Sequence, residues 1–191
     1  TGTWFDAPAL ERFLTAVPEA VLVVLDEAYI EYAQGSDLPD GLDYLARYPN
    51  LIVSRTFSKA YGLAALRVGY ALSSPQIADV LNRVRQPFNV NSLALTAAIA
   101  ALADDEYLAA SRQLNDAGMS QLEQGLRALG LSWIPSKGNF IAVDFGCDTA
   151  ALNQALLREG VIVRPVAGYG MPHFLRVSIG TSKTGKKFLR G

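Results

Sequence analysis

The 191-residue chain holds one cysteine and one histidine. A lone Cys147 excludes an internal disulfide framework and a cysteine-built zinc cluster, reads as a small buried filler, and fits a reducing cytosol. His173 alone leaves no His-rich metal site and no Cys/His constellation, and reads as an ordinary loop residue. Charge is scarce as well: 18% of residues, with 17 basic against 18 acidic side chains and a net charge of −1. That balance argues against nucleic acid or an anionic membrane as the main partner. No apolar run approaches the roughly 20 residues that cross a bilayer. The opening Thr-Gly-Thr-Trp lacks the charged and apolar segments of a signal peptide. An initiator methionine is missing too, so the chain reads as a piece of something longer, cut at its amino terminus. What is abundant is apolar surface. Half the residues are hydrophobic, enough for a sizeable core in one large domain or two small ones.

Strands and helices alternate through the first half. Asp6 is placed to cap a helix whose Leu10, Phe13, Leu14 and Val17 share one face. Val21 to Leu25, ending in Asp26, is an unbroken aliphatic run of the kind buried on both faces of a sheet. A short helical pattern over Leu42 to Arg47 leads to a second run, Leu51 to Val53, and Arg67 to Leu72 is a third strand candidate. Ser74-Pro75 opens a helix carrying Ile77, Val80, Leu81 and Val84 on one side. This rhythm predicts an α/β fold with a mostly parallel sheet. Asn91 to Ala103 has no charge at all and predicts a helix buried on several sides, in a core or a subunit interface. A long amphipathic helix is expected from Asp104 to about Leu129, stopped by Gly130. Strand (Phe140 to Phe145), helix (Thr149 to Arg158), strand (Val161 to Arg164) and strand (Phe174 to Ile179) then predict a second, smaller α/β unit. The division expected is 1–105 and 106–191.

Two stretches concentrate chemistry. In Ser54-Arg-Thr-Phe-Ser-Lys-Ala-Tyr-Gly-Leu-Ala-Ala-Leu-Arg67-Val-Gly69, Lys59 sits among small and apolar neighbours with no carboxylate close in sequence. Crowding of that kind disfavours the ammonium form and frees the amine for Schiff-base chemistry. Ser58 offers a hydroxyl and Arg67 a bidentate fork, a pair suited to phosphate. The plainer alternative is a surface lysine on a strand-to-helix loop, with Arg67 paired to some acid. In Val-Leu-Asp26-Glu-Ala-Tyr29, the aspartate stands at the carboxyl end of a strand, where α/β sheets place ligands. Buried there it needs a partner, and a pyridinium N–H would serve. Tyr29 is placed to point its hydroxyl at the same ligand. The simpler alternative is a cap on the next turn through Ala28.

Taken together these stretches resemble the fold-type I aminotransferases, which use pyridoxal 5′-phosphate (PLP). Asp26 is followed 33 positions later by Thr-x-Ser-Lys59, and Arg67 lies eight residues beyond the lysine. Asp-Glu-Ala-Tyr29, Arg-Thr-Phe-Ser-Lys-Ala-Tyr-Gly-Leu-Ala-Ala-Leu-Arg-Val-Gly69 and Arg-Gln-Pro-Phe-Asn-Val-Asn91 are similar to the histidinol-phosphate aminotransferase family in particular. The resemblance runs from Thr1 to about Gly180 and is most specific over residues 22–92.

It implies the fold-type I architecture, with part of a PLP-binding large domain followed by a smaller carboxyl-terminal domain. It implies Lys59 as the Schiff-base lysine and proton shuttle, and Asp26 as the carboxylate that keeps the pyridine nitrogen protonated. Tyr29 would bond the phenolic oxygen, and Ser58 and Arg67 the phosphate. Gly138-Asn139-Phe140 resembles a loop beside the substrate, and Arg164 and Arg176 resemble two substrate arginines. The reaction implied moves an amino group between glutamate and imidazole-acetol phosphate. Its products are L-histidinol phosphate and 2-oxoglutarate, a step of histidine biosynthesis in a cytoplasmic homodimer, with no metal. An aromatic or broad-specificity aminotransferase, or a phospho-amino-acid decarboxylase, shares the same cofactor residues. A non-catalytic binding module is the reading from a different class.

Two departures stand out. The family's Asn-Pro-x-x-Pro-Thr-Gly turn is represented only by Thr1-Gly2, and its glycine-rich phosphate loop and ring-stacking aromatic have no counterpart in this sequence. At the other end, Thr181 to Gly191 carries Lys183, Lys186, Lys187 and Arg190 with no acid, where the family continues into a mixed-charge helix.

Overall fold

A computed structural model describes residues 1–33, 35 and 38–190. The chain divides into two units, Phe5–Ala109 and a second made of Ala110–Gly191 together with Thr1–Trp4. Gly191, the last residue of the basic tail, lies outside the described residues.

In the first unit, helix α1 (Ala7–Ala16) starts where Asp6 Oδ1 accepts the Ala9 N–H at 2.7 Å. Leu10 and Leu14 are its buried residues, whereas Phe13 stays exposed. Strand β1 (Val23–Asp26) pairs in parallel with β2 (Leu51–Thr56), and β2 pairs with β3 (Gly69–Ser73). That last pairing is antiparallel, so the sheet is mixed rather than mostly parallel. The cause lies in the connection. A parallel return needs a crossover, usually a helix. Residues 57–68 instead form a turn and one short 3₁₀ segment (Ala64–Leu66), which reverses the chain directly.

Leu10, Leu14, Val23, Tyr44, Leu51 and Val53 make one core of this unit, with Tyr44 supplied by a 3₁₀ turn at Gly41–Tyr44. A second core joins Phe57 and Val68 to Ala94 and Ala98 of helix α3 (Ser92–Leu102). Asn91 caps α3 through the Ala94 N–H at 2.8 Å. Helix α2 (Pro75–Val84) has no buried residue, and α3 buries only its two alanines, so Leu93 and Ile99 are open to solvent.

Helix α4 (Asp105–Ala128) leads into the second unit, whose sheet is antiparallel throughout in the order β4 (Ser132–Ile134), β5 (Phe140–Asp144), β7 (Phe174–Ser178), β6 (Arg164–Pro165). Sequence patterning missed β4, whose three residues are too few to show a period. It also made β6 too long, since only Arg164 and Pro165 pair. Leu122 and Leu126 of α4 seal one face of this sheet against Ile141, Val143 and Val177. Helix α5 (Ala150–Arg158) contributes Leu156 to a smaller cluster with Val161 and Leu175. The basic tail folds as helix α6 (Ser182–Arg190), with Phe188 and Leu189 packed onto the main cluster. That apolar pair explains why an acid-free segment is helical: burial of one stripe outweighs repulsion on the solvated side.

Candidate active site

The turn after β2 brings four of the expected residues close together or into contact. Thr56 ends the strand, and its hydroxyl accepts the Ser58 N–H at 3.1 Å. The Gly62 N–H closes on the Lys59 carbonyl at 2.9 Å. Phe57 and Ala60 are buried beneath this turn, which leaves Ser58 and Lys59 half-buried on its outer side. Phe57 is held by the rings of Tyr61 and Tyr70, at centroid distances of 5.1 and 5.6 Å.

Lys59 Nζ lies 5.3 Å from the centroid of the Tyr29 ring. Among the described residues no carboxylate pairs with this amine. Tyr29 comes from the turn that follows β1, where the Tyr32 and Ala33 N–H groups both donate to its carbonyl. Arg67 is in the left-handed region at φ 52° and ψ 47°. A residue with a Cβ accepts on the order of 1–2 kcal/mol of strain there. The result is that Nη1 turns back to donate to the Ala64 carbonyl at 2.9 Å and to the Ser58 hydroxyl at 3.3 Å.

Asp26 closes β1, level with Ser54 of β2. It is exposed, not buried as its apolar approach predicts. Among the described residues β1 pairs with β2 alone and lies at an edge of this sheet; Val24 beside it is 62% exposed. Asp26 Oδ1 accepts the Ala28 N–H at 3.1 Å, the turn-capping contact named above as the simpler role.

The second unit carries the remaining candidates. Arg164 and Arg176 sit directly opposite one another on β6 and β7. Like charges in that register repel. Arg176 lies over the Phe140 ring at 4.7 Å, and its Nε is buried without a hydrogen-bond partner among the described residues. Arg164 is exposed and donates through Nη2 to the Tyr169 hydroxyl at 3.4 Å. Asn139 immediately precedes β5, its carbonyl accepting the Ile179 N–H at 2.8 Å. His173 contributes a backbone carbonyl to the Phe145 N–H. Cys147 is exposed and not the buried filler expected: it lies in the loop after β5, beyond the paired strand.

Two further charged residues, Glu27 and Arg55, stand in the same two stretches. Glu27, next to Asp26, is buried, and its Oε2 accepts Arg55 Nε at 2.9 Å while Oε1 accepts the Gly41 N–H at 2.6 Å. Arg55 Nη2 reaches Asp40 Oδ1 at 2.6 Å. Burial pushes the Glu27 carboxyl above its ordinary value, with the Gly41 N–H and Arg55 pulling the other way. Burial likewise opposes the charge on Arg55, but the bond to Glu27 and the fields of Glu27 and Asp40 prevail and hold its pKa up. Nothing in the sequence around either residue signals this pair, which forms only once β1 and β2 are in register.

A phosphorylated aldehyde cofactor with a pyridine ring needs an amine, phosphate donors and a carboxylate for the ring nitrogen. The first unit supplies each: the unpaired Lys59 amine, Ser58 and Arg67 in mutual contact, and the open Asp26 carboxylate at a strand end. The donor set fits such a group.

Fold and sequence together define the class: the class I and II aminotransferase family model matches residues 1–190. The chain belongs to that family. It is 77% identical over 190 residues to histidinol-phosphate aminotransferase 2 of Pseudomonas aeruginosa, covering 100% of this chain and 52% of that protein. Identity to the histidinol-phosphate aminotransferase of Stutzerimonas stutzeri is 62% over 193 residues, covering 99% and 51%. Among solved structures, the histidinol-phosphate aminotransferase of Sinorhizobium meliloti in complex with pyridoxal-5′-phosphate superposes with a TM-score of 0.91 at 36% identity, covering 100% of this chain and 53% of that one. The chain thus spans about half the length of the curated relatives it matches. Among the described residues no helix is long and apolar enough to cross a membrane.

Proposed function

We propose that this chain is part of a PLP-dependent aminotransferase acting between glutamate and imidazole-acetol phosphate to give L-histidinol phosphate and 2-oxoglutarate. The observation that carries the proposal is the Lys59 amine set against the Tyr29 ring, in one turn with the Ser58–Arg67 pair. Names and identities of the relatives support the particular substrates.

When bound, PLP supplies the electron sink for charge developing at the substrate α-carbon. Ser58 and Arg67 hold its phosphate by charge-assisted hydrogen bonds. Asp26 receives the ring N–H and keeps that nitrogen protonated. The Tyr29 hydroxyl donates to the phenolic oxygen. Lys59 takes the proton from the substrate α-carbon and returns it, a role open to a half-buried amine with no carboxylate partner. In this reading Arg164 and Arg176 bind the anionic groups that both substrates carry, with Arg176 leading, Arg164 assisting and Asn139 lining the substrate. The working form is a homodimer in the cytoplasm.

Reduction of the PLP-treated protein with borohydride, followed by peptide mapping, is expected to label Lys59, and Lys59→Ala to abolish the label. A folded chain that takes no label would favour a binding module instead. A ketoacid panel then separates the aminotransferases: preference for imidazole-acetol phosphate over phenylpyruvate is expected, and the reverse order removes the substrate assignment.

A further inference from the structure

Asp26 and Glu27 are consecutive, so on extended backbone their side chains point to opposite faces of the sheet. The same holds for Ser54 and Arg55, and the Glu27 N–H carries the ladder one step further by donating to the Ser54 carbonyl at 2.9 Å. Glu27 and Arg55 therefore meet behind the two strand ends, while Asp26 looks out on the other side. The pair is largely buried and tied to further partners. Both Nε and Nη2 of Arg55 reach the same Glu27 oxygen, at 2.9 and 2.8 Å. The other oxygen takes the Gly41 N–H, and Asp40 accepts from both Arg55 and the Leu42 N–H. Gly41 has no room for a Cβ, which would meet Leu25, Glu27 and Val53 at 2.7 to 2.8 Å.

We propose that the Glu27–Arg55 pair is a positioning clamp: it locks the carboxyl ends of β1 and β2 in register from behind, and so fixes Asp26 and the Ser58–Lys59 turn as a cofactor-binding unit. The proposal rests on the PLP reading above. A one-residue slip of β1 would send Asp26 to the buried face, and a buried charge pair that tolerates only one register prevents it. On β2 the connection is short. Arg55 is followed by Thr56, whose hydroxyl anchors the Ser58 N–H, and Lys59 is next. Neither Glu27 nor Arg55 is assigned contact with substrate or cofactor.

The test compares the wild-type chain with Glu27→Gln, Arg55→Lys and the apolar double variant Glu27→Leu/Arg55→Met. For each, the melting temperature without cofactor, the dissociation constant for PLP and the pH midpoint of the absorbance of lysine-bound PLP are measured. Replacing a buried ion pair by apolar residues of similar volume is commonly neutral for stability. The double variant is therefore expected to fold, with a melting temperature lowered only by the orphaned Gly41 N–H, yet to bind PLP at least about tenfold more weakly, with a displaced absorbance midpoint. If it folds and binds like wild type, the pair is packing alone and the inference is overturned. Should the double variant not fold, Arg55→Lys decides, because it keeps the charge but loses the Nε bond. Weaker PLP binding by this variant at unchanged melting temperature supports the clamp, and unchanged binding and midpoint overturn it. A wild-type chain that takes no PLP overturns the underlying functional reading, an outcome distinct from variants that bind as well as a binding wild type.

Discussion

Arg67 keeps a left-handed backbone that glycine would adopt freely, and the return on that strain is a guanidinium folded against Ser58. Arg67→Gly is accordingly expected to leave the cofactor-free protein as stable as wild type or more so, by up to about 1 kcal/mol. It should also weaken PLP binding tenfold or more; calorimetric melting and a PLP titration measure the two effects. Lys59, Ser58, Arg67, Asp26 and Tyr29 stand out in the sequence as reactive or anion-binding residue types at fixed spacing, and the fold brings Lys59 to Tyr29 and Arg67 to Ser58. Glu27 and Arg55 lay in the same motifs and went unread. Their relation exists only once β1 and β2 are paired, and nothing local to either residue announces a partner 28 positions away. Exposure of Asp26 was equally hidden, since an apolar run looks alike in a central strand and in an edge strand.

Elements whose signals are local were read well: the Asp6 cap, and Gly130 ending the run from α4 at φ 71°. Strand direction was not, because the antiparallel β2–β3 pairing depends on what the twelve intervening residues do in space. Helix α1 is tied to the turn beyond the 3₁₀ segment by Glu11, which accepts both Arg47 nitrogens at 2.7 and 2.8 Å and the Tyr48 hydroxyl at 2.8 Å. The Arg47 bond first, and the Tyr48 bond next, hold the Glu11 carboxyl below its ordinary value of 4.5. A lowered carboxyl stabilises the fold above the unfolded value and loses that contribution as pH falls through the folded one. Melting temperature should therefore drop on acidification below about pH 4.5, and Glu11→Gln should flatten that limb, as circular dichroism melts across pH 3–6 would reveal. Glu27, shifted upward, has the opposite sign: its contribution is present below 4.5 and fades as pH rises through its folded value.

At the scale of the whole molecule, the uncharged helix α3 shows Leu93 at 76% and Ile99 at 71% exposure. Under the homodimer reading these side chains meet a second copy. Sedimentation is expected to give twice the chain mass. Leu93→Asp with Ile99→Asp should return a monomer of unchanged circular dichroism, and a wild-type monomer would count against the dimer. The proposed substrates rest on resemblance and on the relatives, since two arginines with anions to bind look alike in many pockets. Their opposed register in the second unit has a practical consequence. If Arg164 and Arg176 bind the substrate anions as proposed, any small oxyanion also relaxes their mutual repulsion, so inorganic phosphate or sulfate in a storage buffer is expected to compete with substrate. Assays in such buffers would then understate affinity, and the choice of buffer salt becomes a variable of the enzymology.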